Sequence, residues 1–160
     1  MRLSTRGRYA VMAMVEMAAR QGKLDAEACC RAQPVSLSEI SAAQQLSLAY
    51  LEQIFAKLRR AGLVSSARGP GGGYRLGRPA AMIVVADIVS AVDESVCTIR
   101  CEDGGPGCVD GQKCRTHDLW SELDEHIRLF FTHMTLDDVV EGRVLGRALP
   151  PRGAGEGSRP

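Results

Sequence analysis

Three cysteines and a histidine fall within a short segment that has few apolar residues, CEDGGPGCVDGQKCRTH. The four are Cys101, Cys108, Cys114 and His117. The remaining residues are mainly glycines, acids and amides, which cannot bury a hydrophobic core, so the segment needs another source of order. Thiolates and imidazole bind zinc, iron and iron–sulfur clusters. The segment therefore predicts a metal or cluster site, in which the i, i+3 spacing of Cys114 and His117 places both on one face of an opening helical turn.

The spacing of these residues leaves the identity of the metal open. Structural zinc sites usually contain close ligand pairs such as C-x2-C, whereas the gaps here are six, five and two residues. Wide gaps suit a two-iron cluster, but spacing alone fits zinc equally well. Disulfide bonds are disfavoured because MRLSTRGRYA lacks the apolar region of a secretion signal, so we expect a cytoplasmic, reducing environment.

The distribution of charge suggests a polyanionic partner. Residues 1–80 hold 12 Lys and Arg against 5 Asp and Glu, a net charge of +7, and residues 81–160 hold 8 against 14, a net charge of −6. A basic half on a small chain indicates nucleic acid, although a solvated surface can carry the same excess. No apolar stretch is long enough to cross a membrane. No nucleophile–base pair, phosphate loop or carboxylate pair indicates an enzyme.

Capping and periodicity predict three helices in the basic half. Ser4 or Thr5 caps a helix that runs to about residue 21, with apolar residues on one face. Ser36 and Glu39 form a capping box that opens a short helix to about residue 45, and Ser47 opens another that ends before Gly62. Two helices with so short a joint form a helix-turn-helix, whose second helix can enter the DNA major groove. The apolar faces are Val11, Met14, Val15, Ala18 and Ala19 in the first helix, and Leu48, Leu51, Ile54, Phe55 and Leu58 in the last.

A glycine-rich hairpin is predicted directly after the helix-turn-helix. Residues 63–66 and 74–76 read as two short strands, joined by the turn 67–73. A hairpin in this place is a wing, and Arg68 at its tip can approach a phosphate or the minor groove. A nucleotide-binding loop is the rival interpretation of the glycines, but the lysine of such a loop is missing.

The acidic half contains a predicted dimerisation helix. After a short helix at 85–92, residues 116–133 show an apolar seam at helical spacing, which we expect to pack on a second copy. We interpret His126 and His133 as surface or interface residues, and Cys29 and Cys30 as incidental thiols. The predicted domains are a winged helix-turn-helix at 1–80, a cluster loop with dimerisation helix at 81–141, and a disordered tail at 142–160. The seam residues are Leu119, Leu123, Ile127, Phe130 and Met134.

These features together resemble the IscR-type regulators, the iron–sulfur members of a bacterial winged-helix family. The likeness covers residues 1–141 and includes MRLSTRGRYAV, SLAYLEQIFAKLRRAGLVSS, RGPGGGY, SAVDES and the cysteine loop closed by C-x-x-T-H. It implies a mainly α fold with a small β wing, and a [2Fe–2S] cluster that the iron–sulfur assembly machinery donates. It also implies transcriptional control of cluster-biogenesis genes, with different DNA sites for the cluster-bound and apo forms. The implied cluster ligands are Cys101, Cys108, Cys114 and His117.

The same resemblance implies how DNA is bound. A homodimer would place two winged helices on a palindromic operator, with glutamine pairing adenine and glutamate pairing cytosine in the major groove. Arginines at the helix ends would contact the backbone, and the wing would approach it closely. The expected DNA-binding residues are Arg2, Arg8, Ser47, Tyr50, Glu52, Gln53, Arg59, Arg68, Gly69 and Gly71.

The chain departs from the family pattern at a few positions. Six residues separate the first two cysteines of the loop where five are expected, and Cys97 is an alternative first ligand. Ala49 stands where a DNA-contacting serine is expected. Two alternatives remain: a nitric-oxide or redox sensor of the same family, against which His117 argues, and a zinc-stapled constitutive DNA-binding protein.

Overall fold

The computed structural model describes residues 4–23, 31–92 and 113–145. Arg2 and the cysteines at positions 29, 30, 97, 101 and 108 lie outside these ranges, as does most of the predicted tail. Within the described part, no helix combines the length and apolar character needed to cross a bilayer. The elements are α1 (Thr5–Gln21), α2 (Leu37–Gln44), α3 (Leu48–Arg60), β1 (Val64–Ala67), β2 (Gly73–Leu76), a 3-10 turn (Ala80–Met82), α4 (Val85–Ala91), α5 (His117–His133) and α6 (Leu136–Val140).

Helix α1 is the central element of the fold. Its N-cap is Ser4, whose hydroxyl accepts hydrogen bonds from the backbone N–H groups of Arg6 and Gly7, as the sequence predicts. The buried face differs from the predicted one, because Ala19 is exposed and Ala10 and Ala13 are fully buried. The reason is tertiary: α1 packs against α2, α3, α4 and α6, so its buried stripe is wider than one amphipathic face.

The helix-turn-helix has the capping that the sequence predicts. Ser36 Oγ accepts from the Glu39 N–H at 3.2 Å, and Glu39 Oε2 accepts from the Ser36 N–H at 2.8 Å. The hydroxyl and backbone N–H of Ser36 hold the pKa of the Glu39 carboxyl below its ordinary value. In the turn, Gln45 adopts φ 52° and ψ 44°, the left-handed conformation for which glycine is the usual residue. The buried Leu46 and the bond from Ser41 Oγ to its carbonyl, 2.6 Å, hold this turn.

Helix α3 buries most of the predicted apolar face. Leu51, Ile54, Phe55 and Leu58 are at most 1% exposed. The predicted first member of that face, Leu48, is instead 41% exposed. It occupies the first position of α3 and does not belong to the hydrophobic core cluster. The helix stops before Gly62, whose φ of 71° is the left-handed conformation expected after a helix end.

The predicted wing is a two-stranded antiparallel hairpin in which Val64 pairs with Leu76 and Ala67 with Gly73. A further antiparallel bridge joins Tyr74 to Val35, with N···O distances of 2.9 and 2.8 Å. At Gly73, a Cβ atom would lie 2.4 Å from the Val35 carbonyl oxygen, so only glycine permits this approach. The wing is therefore attached to the segment that precedes α2.

A short pairing connects the end of α5 to the core. Val84 bridges Thr135, the Val85 N–H donates to the Met134 carbonyl, and the Leu136 N–H donates to the Ile83 carbonyl, both at 2.8 Å. Helix α6 then opens with a second capping box, formed by Thr135 and the buried Asp138. Arg143 Nε donates to Asp138 Oδ1 at 3.1 Å. Residues 83–85 and 134–136 together form a joint between the long helix and the rest of the helical core.

Candidate DNA-binding surface and metal ligands

The outer face of α3 carries the predicted base-reading side chains. Ser47, Glu52 and Gln53 are exposed, and the Ser47 hydroxyl makes no capping bond to its own helix. Neither Glu52 nor Gln53 has a side-chain hydrogen bond or ion pair within the described ranges. Free donors and acceptors at the N-terminal half of an exposed helix suit contacts with phosphates and base edges.

Tyr50 lies closer to the core than the other predicted contacts. It is half-buried, and its ring meets that of Tyr9 edge to face, with centroids 6.0 Å apart and planes at 86°. This contact fixes α3 against α1.

Exposed arginines lie at one end of α1 and at one end of α3. Arg6 and Arg8 lie on the first turn of α1, and Arg59 and Arg60 lie at the end of α3. Among the described residues, these four have no acidic partner. Cations at the start of a helix oppose the helix dipole, so a contact with phosphate explains Arg6 and Arg8 better than helix stability does.

The tip of the wing presents an arginine on a tight backbone. Arg68 is exposed and precedes Gly69 and Gly71, which adopt φ values of 104° and 74°. The Gly72 N–H donates to the Gly69 carbonyl at 2.9 Å, and a Cβ on Gly72 would lie 2.5 Å from the Ala67 carbonyl oxygen. Glycine is therefore required to close this turn, and the tip stays narrow enough to approach a groove.

One residue that holds the wing escaped sequence reasoning. The Gln21 side chain donates from Nε2 to the carbonyls of Gln33 and Tyr74, both at 3.2 Å, and accepts from the Leu76 N–H at 3.1 Å. Gln21 is the last residue of α1 and belongs to no motif. Its role follows only from the tertiary position of β2, so no sequence signal could have found it.

Loss of this amide should loosen the wing. For Gln21→Leu we expect the free energy of unfolding to fall by about 1–3 kcal/mol, because the part-buried Tyr74 carbonyl and Leu76 N–H each lose a hydrogen bond. DNA affinity should also fall. In an Arg68→Ala background the same substitution should lower the affinity much less, because a wing that lacks Arg68 makes little DNA contact even when it is held in place. Fluorescence anisotropy on the four proteins of this double-mutant cycle measures the coupling. Gln44→Leu, which removes a bond to Glu16 and none to the wing, should show no coupling with Arg68.

Two of the four predicted metal ligands are described, and they are adjacent. Cys114 lies just before α5, and the His117 N–H donates to the Cys114 carbonyl at 3.0 Å, which closes a turn between the two residues. His117 is 6% exposed and is the buried residue of α5, while the following Leu119 is 62% exposed. Cys114 Sγ lies 3.4 Å from Thr116 Oγ1. A buried imidazole one turn from a cysteine is a suitable half of a metal site.

The other half, Cys101 and Cys108, lies outside the described residues, so the four-ligand arrangement stays a prediction. Within the described ranges, no group of three or more potential ligand side chains is assembled. The other two histidines of α5 form hydrogen bonds within the helix. His126 Nε2 lies 3.0 Å from Glu122 Oε1, and His133 Nδ1 lies 2.7 Å from the Leu129 carbonyl oxygen. Both lie on the helix surface, away from its buried start.

The apolar seam of α5 is divided between two environments. Met134 is 2% exposed and packs on Val85 and Val89 of the same chain, together with the half-buried Phe130. Toward the start of the helix, Leu119 and Trp120 are exposed and Leu123 and Ile127 are half-buried. The first half of the seam is therefore the part available to a second molecule.

Known proteins are similar to this chain in both sequence and fold. The pattern of the Rrf2 family, described as iron-dependent transcriptional regulators, matches residues 3–142. The HTH-type transcriptional regulator IscR of Escherichia coli (strain K12 / DH10B) is 49% identical over 143 residues, which span 89% of this chain and 82% of that protein.

Two solved structures show the same likeness. The global cysteine regulator CymR of B. subtilis superposes with a TM-score of 0.71 at 30% identity, and covers 89% of this chain and 98% of its own. T. potens IscR gives a TM-score of 0.66 at 33% identity, and covers 89% of this chain and 88% of its own. With its helix-turn-helix, wing and long C-terminal helix, the chain belongs to the Rrf2 family of winged-helix transcriptional regulators.

Proposed function

We propose that this regulator senses iron–sulfur cluster status through a [2Fe–2S] cluster and controls genes of cluster biogenesis. The observation that carries the proposal is the buried His117 one turn after Cys114, at the start of the helix that leads to the core. The identity to IscR over most of the chain supports the same reading. The proposed ligands are Cys101, Cys108, Cys114 and His117.

The donor set fits such a cluster. Three thiolates and one imidazole give four ligands for two irons, and imidazole replaces thiolate in known two-iron centres. When bound, the cluster supplies a one-electron couple sensitive to its ligands. His117 contributes a neutral donor that binds iron more weakly than thiolate does, so the site would release its cluster readily. Ready release suits a protein that reports on cluster supply, with the assembly machinery as donor.

The DNA-binding surface of the proposal is the outer face of α3 with its flanking cations and wing. Each half of a palindromic operator would receive one α3 in its major groove, because a homodimer through α5 has two-fold symmetry. Such a protein acts on DNA in the cytoplasm and has no need of an enzymatic site. The proposed contacts are Arg2, Arg8, Ser47, Tyr50, Glu52, Gln53, Arg59, Arg68, Gly69 and Gly71.

The ligands are proposed to act on DNA binding through the joint at the end of α5. Ligation ties residues 101–117 to the start of α5, and the pairing of 83–85 with 134–136 connects the other end to α4 and the core. The cluster would shift the equilibrium between two DNA-binding conformations only if it bound one of them more tightly than the other. A tenfold preference for one conformation needs a difference of about 1.4 kcal/mol in binding free energy.

The test is DNA selection with the protein in both forms. Anaerobically purified protein and its chelator-stripped form would each be incubated with a random-sequence duplex library, and the retained sites compared. We expect two different preferred sites, or one site bound at least tenfold more tightly by one form. Identical preferences and affinities would contradict cluster sensing and leave a constitutive regulator. Zinc and iron analysis of the same samples distinguishes the cluster from the alternative zinc site, which would contain zinc and no iron.

A further inference from the structure

The first turn of α3 carries two exposed apolar side chains at the end that enters the groove. Leu48 is 41% exposed, and Ala49 beside it is also exposed. Leu48 is absent from the hydrophobic core, whereas the other large apolar residues of α3 are almost fully buried. We call Leu48 and Ala49 the apolar tip.

The apolar tip lies directly beside the polar base readers. Residues four apart on a helix are surface neighbours, so Leu48 adjoins Glu52 and Ala49 adjoins Gln53. The N-terminal turn of a recognition helix is the part that contacts base edges. Any base edge reached by Glu52 or Gln53 is therefore within reach of an apolar group.

The major groove offers one apolar group, the 5-methyl group of thymine. Most other edge positions there are hydrogen-bond donors or acceptors, against which a leucine would leave a polar group without a partner, and the C5–H of cytosine offers no methyl group to bury. We infer that Leu48, assisted by Ala49, selects thymine in each operator half-site by covering its methyl group. This inference rests on the proposed recognition face of α3 and adds a specificity-determining residue to it.

Deoxyuridine isolates this contact, because it differs from thymine only by the methyl group. The anaerobically purified protein would be given its best site from the random-sequence library, and each thymine of one half-site would be replaced singly by deoxyuridine. Burial of one methyl group contributes about 0.8 kcal/mol, which corresponds to roughly a fourfold change in Kd. We expect the wild type to lose roughly this factor at one or two positions.

The Leu48→Ala variant should bind the thymine and deoxyuridine duplexes at those positions with nearly equal Kd. Since the side chain is exposed, the variant should fold like the wild type. Met82→Ala is the matched control, because Met82 is 64% exposed but lies on the turn after the wing. It should keep the wild-type ratio.

The thymine contact of Leu48 and the recognition face of α3 can fail independently. A wild type indifferent to deoxyuridine at every position, or a ratio unchanged in Leu48→Ala, overturns the thymine contact and leaves DNA recognition intact. Failure of the library to yield any enriched site would overturn the proposed recognition face, and the inference with it.

Discussion

Anaerobically purified Cys114→Ser protein is expected to be colourless and free of iron and sulfide, whereas the wild type should be brown with two of each per chain. The serine hydroxyl is a poor ligand for iron, and the substitution removes the donor that lies one turn from His117. His117→Ala should assemble the cluster but lose most of it on desalting, because water then completes the site. Visible absorption with iron, sulfide and zinc analysis measures both effects.

Conservative and positional variants sharpen this test. His117→Cys should restore retention with a shifted spectrum, since thiolate replaces imidazole. His126→Ala, a change of the same type on the exposed surface of α5, should leave the metal content unchanged. Cys101→Ser should behave like Cys114→Ser, and Cys97→Ser like the wild type. A Cys114→Ser protein that stays brown would reject Cys114 as a ligand, and a wild type with one tight zinc and no iron would reject the proposed cluster.

The second large effect concerns the dimer. Aspartates at Leu119 and Leu123 should convert the protein into a monomer, because two charges cannot be buried in an apolar interface without partners. Leu119 is already 62% exposed in the single chain, so the monomer should keep its helicity. Loss of the second half-site contact should weaken operator binding by roughly 100-fold or more.

Size-exclusion chromatography with light scattering measures the mass, and anisotropy with the stripped protein measures the Kd. Thr132→Asp is the control, because it adds a carboxylate at an exposed position of the same helix and should leave both values unchanged. A dimeric Leu119→Asp/Leu123→Asp protein with unchanged DNA affinity would place the interface elsewhere.

Features that depend on neighbouring residues were predictable from the sequence. The capping box of Ser36 and Glu39, the stop at Gly62 and the hairpin at 64–76 all follow from local chemistry, and the structure contains each of them. The fold class follows as well, because helix-turn-helix and wing are consecutive in the chain. The roles of Ser36 and Gly62 as helix caps are set by the residues next to them in the chain.

Features that depend on packing were not predictable. The apolar pattern assigns Leu48 to the buried face of α3 and Met134 to the dimer seam of α5. In the structure Leu48 is exposed, and Met134 packs on α4 of the same chain. Gln21 reads as a solvated helix end, but it holds three backbone groups. Likewise, the types of Cys114 and His117 suggest metal, while the burial that distinguishes His117 from His126 is visible only in the fold.

The two hydrogen bonds between residues 83–85 and 134–136 give α5 the mechanics of a lever. The helix has 17 residues and extends about 25 Å from this pivot to His117, while α4 on the other side has 7 residues and spans about 10 Å. A rotation of about 5° would then move the His117 end by about 2 Å and the far end of α4 by less than half of that. If His117 binds the proposed cluster, a small force at that end of α5 would act on α4 with the mechanical advantage of the longer arm, although protein interiors are packed about as densely as organic crystals.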